Sequence, residues 1–61
     1  MNASAEVFEV LLKSGPGTVT VCRGARLTTA METARAHANQ RGQVVFVKNP
    51  LTGVLQEVKP D

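Results

Sequence analysis

Along this chain, apolar and polar residues alternate, then recur at helical spacing, then alternate again, and that succession predicts a ββαββ domain. From Glu6 to Lys13 the side chains alternate, with Phe8, Val10 and Leu12 on one face and Val7, Glu9, Leu11 and Lys13 on the other. Ser14-Gly15-Pro16-Gly17 breaks the run with turn residues. Thr18 to Arg23 resumes it, with Val19 and Val21 facing one way and Thr18, Thr20 and Cys22 the other. Two extended runs joined by so short a loop form a hairpin. Between Leu27 and Arg41 the period changes: Leu27, Met31, Ala34 and Ala38 form one stripe of a helix, and Ala30 widens it. Thr28 and Thr29 are candidate N-caps, and Thr29 with Glu32 fits a capping box. Gly42 suits a left-handed stop, and Arg41 suits the negative end of the helix dipole. Gln43 to Lys48 and Val54 to Lys59 then form a second hairpin around the loop Asn49-Pro50-Leu51-Thr52-Gly53. Met1 to Ala5 shows no period and reads as a flexible tail, leaving residues 6–59 as one α+β domain.

The most apolar strands, beginning at Glu6 and Gln43, belong in the centre, and the Thr-rich and Glu/Lys-containing ones at the edges. A four-stranded antiparallel sheet of order 2-1-3-4 satisfies this, with the helix on one face, crossing strand 1 in a right-handed connection. The alanine stripe should lie close against the sheet.

Val44-Val45-Phe46-Val47 has no polar alternation, the mark of a strand with apolar surroundings on both sides. Placing Val44 and Phe46 under the helix with Phe8 puts Val45 and Val47 beside Val7 and Leu11 on the face away from it. Together with Leu55 and the flanking Glu9, they form a candidate partner surface. The whole interaction reading drawn from the sequence requires the valines around position 45 to lie open in the lone chain. The alternative is scattered valines retained for β-propensity.

Size sharpens the point. A domain of 61 residues buries only about 60% of the surface its unfolded chain exposes, and small scaffolds commonly add disulfides, a metal or a partner. Cys22 is the sole cysteine and His37 the sole histidine, which excludes an internal disulfide and leaves no metal-ligand set. Association with another protein remains, beside the alternative of a modestly stable monomer. The first residues lack a basic segment followed by an apolar run, and no apolar stretch approaches the roughly 20 residues that span a bilayer. With one free thiol, a cytoplasmic location is expected.

The net charge of +2 is unevenly distributed. Arg23, Arg26, Arg35 and Arg41 stand against Glu32 alone around the helix, whereas the hairpins are nearly neutral. Four arginines on one side are a candidate phosphate-tracking set. The alternative is a solvated face in which Glu32 and Arg35 form an i,i+3 pair. Phe8 and Phe46, the only aromatics, both fall in the predicted core, which disfavours base stacking on the sheet.

Catalytic constellations are missing from the pattern. His37 borders the apolar stripe with no Ser, Cys or Asp placed to form a relay. Cys22 has Arg23 and Arg26 nearby to activate a thiolate, but a half-buried strand residue is the ordinary reading. Ser14-Gly15-Pro16-Gly17 has no lysine and precedes a strand, so it fails as a phosphate cradle. No catalytic residue, cofactor, metal or small-molecule substrate is expected.

Residues 6–58 resemble a group of small uncharacterised bacterial ββαββ proteins assigned to a domain of unknown function. The resemblance lies in the first hairpin, in Thr29-Ala30-Met31-Glu32-Thr33-Ala34-Arg35 opening the helix, and in Gly42-Gln43-Val44-Val45-Phe46-Val47 leading into the last hairpin. That group carries a tryptophan in its second strand and a tighter Asp-Gly turn, where this chain has Val19 and Val21 and Asn49 to Gly53. It implies the topology and no activity. The sequence thus predicts a non-enzymatic interaction module, a homodimer or an adaptor or inhibitor of a larger protein, using the helix-free sheet face. Nucleic-acid binding through the four arginines is the alternative.

Overall fold

A computed structural model describes residues 7–61; the predicted tail and the strand start at Glu6 lie outside the described residues. Four strands and one helix run in the order β1 (Phe8–Ser14), β2 (Gly17–Ala25), α1 (Leu27–Arg41), β3 (Val45–Asn49) and β4 (Val54–Val58). They form one antiparallel sheet of order β2-β1-β3-β4 with α1 against one face.

Each turn reflects its residues. Gly15-Pro16 closes the first hairpin between Ser14 and Gly17, which face each other across it. In the second hairpin, Asn49 organises the loop: its Oδ1 accepts from the Leu51 amide at 3.0 Å, and its carbonyl accepts from the Gly53 amide at 2.7 Å. That side-chain-to-backbone bond is the Asx turn that favours asparagine here.

The helix keeps the bounds its pattern predicts, but its first turn differs. Arg26 occupies the N-cap position with extended backbone and no side-chain cap bond, while Thr28 and Thr29 lie inside the first turn. The capping box of Thr29 and Glu32 therefore does not form. The chain enters the helix directly from β2, and the first turn closes with the Ala30 amide donating to the Arg26 carbonyl at 2.8 Å. At the other end Gly42 has φ 67°, and its amide donates to the Ala38 carbonyl at 2.7 Å. A side chain there would meet steric cost from the left-handed backbone.

Beneath α1 the core is made of small side chains. Ala30, Ala34 and Ala38, four residues apart, are fully buried. They face Val10 and Leu12 from β1, Val45 and Val47 from β3, and Val58 from β4. Phe8, Cys22, Ala25 and Met31 pack around this centre, whereas Leu27, placed by the pattern in the stripe, is 44% exposed.

Two placements need correction. Val45 and Val47 do not lie on the face away from the helix: they are 1% and 2% exposed beneath it, so the strip built on them does not exist in the lone chain and the sequence's own argument for a partner falls with it. The register explains it, since Val47 sits opposite Val10 and Val45 opposite Leu12, both core residues of β1. Phe46 sits opposite Leu11 and belongs to the other face. An alanine-lined helix comes close to its sheet and leaves room there for valines rather than a phenylalanine ring.

Strand β2 also departs from its alternation. The step from Phe8 to Val10 is matched by Ala25 to Cys22, and the step from Val10 to Leu11 by Cys22 to Thr20. Each mismatch inserts one extra residue in β2, a bulge that reverses the facing of the residues beyond it. Cys22 therefore turns away from Thr20 and joins the core, opposite Val10. Gly24, with φ 67°, supplies the left-handed residue that one form of bulge requires.

Candidate interaction surface

The face of the sheet opposite α1 has no covering layer among the described residues. Strand alternation and register place Glu9, Leu11 and Lys13 of β1 there, beside Thr18 and Thr20 of β2. From β3 come Phe46 and Lys48, and from β4 Leu55 and Glu57. Leu11 and Phe46 are half-buried neighbours at the centre, and Leu55 at the edge is 54% exposed. The apolar centre is thus smaller than the alternation alone implies, and built around a different strand parity.

Of the predicted partner-surface residues, Glu9, Leu11 and Leu55 lie on this face. Val45 and Val47 are in the core. Val7 is half-buried just before β1, outside the paired segment. The alternation alone puts Phe46 in the core, yet one signal identifies its true side. Lys48 shares the parity of Phe46, so burying one would bury the other, and an unpaired buried ammonium is costly.

Charge on the open face is mixed. Glu9 and Lys48 are cross-strand neighbours at one end of it, while Lys13 and Glu57 flank Leu11 and Phe46. Phe46 stands between two shallow depressions. One, of ≈ 310 Å³, is bordered by Leu11, Pro16, Thr18 and Leu55. The other, of ≈ 500 Å³, is bordered by Val44 and Glu57.

The four arginines do not gather. Arg23 is exposed on β2, Arg26 precedes the helix, and Arg41 ends it. A helix of 15 residues separates its two ends by roughly 22 Å. Arg35 is already engaged: its Nη1 lies 2.9 Å from Asp61 Oδ1. Asn39 fixes the same residue from both sides, accepting from the Asp61 amide at 2.6 Å and donating to its carboxylate at 3.3 Å. The segment after β4 is thereby tied to the helix surface, with its carboxylate neutralising one of the arginines. Phe46 does put a ring on the open face, which a base-stacking mode needs. Glu57 lies opposite Phe46, and with Glu9 it cancels Lys13 and Lys48, so this face has no net positive charge to hold a phosphate backbone.

His37 is half-buried on α1, and Cys22 is a half-buried free thiol packed against the core. Among the described residues no group of three or more His, Cys, Asp or Glu is placed to hold a metal. No helix among them is long and apolar enough to cross a membrane. Comparisons with models of protein families, with curated proteins and with solved structures find no match, so the reading of this face rests on its geometry and charge.

Proposed function

We propose that this chain is a small, non-enzymatic protein-interaction module whose working surface is the helix-free sheet face. One observation carries the reading. A single helix encloses one side of the sheet, and the other side presents Phe46 and Leu11 at its centre, flanked by Glu9, Lys13, Lys48 and Glu57, with Leu55 at the edge. An apolar centre within a polar rim is the usual anatomy of a protein contact. Aromatic side chains are enriched at the energetic centre of such contacts.

Site-specific photo-crosslinking in the native host tests this. A photoreactive amino acid at Leu55, on the open face, should give a discrete protein adduct. The same group at Ala36, exposed on the outer side of α1, should not. Adducts from Ala36 alone, or from neither position, contradict the proposal.

A further inference from the structure

Resting on that reading of the open face, we propose that its partner is a second copy of this chain, stacked sheet against sheet about a two-fold axis. The charges point there first. The chain is net +2, yet Glu9 and Glu57 balance Lys13 and Lys48 on this face. A face of one sign repels its own copy; a balanced one does not.

Register makes one charge pair of this face, Glu9 and Lys48, self-complementary. Glu9 is opposite Lys48, and Leu11 is opposite Phe46, across β1 and β3. A two-fold axis lying in the interface along the strands, midway between β1 and β3, exchanges these two strands between copies. Glu9 then lies over the copy's Lys48, and Leu11 over the copy's Phe46. Each contact occurs twice, as an isologous interface requires. Sheets packed in this way lie about 10 Å apart, with interdigitated side chains. The depression beside Leu11 and Thr18 is where the copy's Phe46 ring enters.

The size of the face sets the strength. Four strands about 4.8 Å apart and five residues at about 3.4 Å each span roughly 19 by 17 Å. That flat footprint, about 300 Å² per copy, is small beside the ≈ 800 Å² of accessible surface that each partner buries in a standard interface. The dimer is therefore concentration-dependent, in exchange with a folded monomer, rather than obligate.

Sedimentation velocity on the full chain, from micromolar to millimolar, tests the inference with two charge variants. One combines Glu9→Lys with Glu57→Lys, and the other Lys13→Glu with Lys48→Glu. Wild type should shift from monomer to dimer across the range. Each variant alone should associate at least about tenfold more weakly, since like charges then face each other. An equimolar mixture should dimerise at least as well as wild type. Circular dichroism confirms that the variants fold. Should either variant not fold, Leu55→Lys, at a 54% exposed position, should weaken association several-fold. A monomeric wild type at millimolar concentration overturns self-pairing. Variants that dimerise alone as wild type does also overturn it, by placing the contact at a sheet edge or on the helix. A monomeric wild type that still crosslinks through position 55 in the host overturns the self-pairing and leaves the interaction reading standing.

Discussion

Phe46 and Val47 are neighbours in sequence with opposite fates, and the difference decides where the molecule can be altered. Val47 is 2% exposed beneath the helix. Val47→Ala removes two buried methyl groups and leaves a small cavity, which should lower stability by about 2 kcal/mol. Leu55→Ser, on the open face, should change stability by no more than about 0.5 kcal/mol, as exposed sites commonly do. Urea denaturation of the two variants checks both values, and the reverse ranking would mean the sheet faces are assigned the wrong way round. Ala34, fully buried between helix and sheet, has no room to grow. Ala34→Leu should cost about 1–3 kcal/mol by overpacking, seen as a lower urea midpoint. The alternation of Phe8, Val10 and Leu12 is legible because polar residues mark its other face. The run Val44 to Val47 is not, because four apolar residues leave the parity open. Only Lys48, two positions beyond Phe46, resolves it.

At the scale of elements, both bounds of the helix can be read from the spacing of its apolar residues and from Gly42. Its cap cannot, since Thr28 and Thr29 carry the right chemistry but the chain has already turned helical when it reaches them. Gly42→Ala should cost about 1 kcal/mol. An added Cβ there would meet nothing within 4 Å, so the whole effect would be left-handed backbone strain, and thermal unfolding with a matching urea series measures it. The bulges of β2 leave no mark in the alternation, because Val19-Thr20-Val21-Cys22 keeps a regular pattern that the backbone does not obey. They give the two edges of the sheet different character. An edge interrupted in this way is a poor template for another strand, whereas β4 pairs with β3 in unbroken register. The tie from Asp61 to Arg35 joins side chains that are 70% and 49% exposed. Asp61→Ala should therefore cost less than about 1 kcal/mol, and the same denaturation series reads it.

For the whole molecule, strand order, helix placement and the expectation of an uncovered second face all derive from a chain that alternates, coils once and alternates again. The pattern could not supply the identity of the residues on that face, because register and bulges are fixed by pairing between distant segments. The corrected face is less apolar and more evenly charged than the alternation implies, which fits a reversible contact better than a permanent one. The most direct test is a concentration series of amide NMR spectra on the isotopically labelled chain. Self-pairing through the open face predicts progressive shifts at Glu9, Leu11, Phe46, Lys48 and Leu55, with Glu32 and Ala36 on the outer side of the helix unmoved. Shifts centred on the helix or on β2, or none up to millimolar concentration, would contradict it.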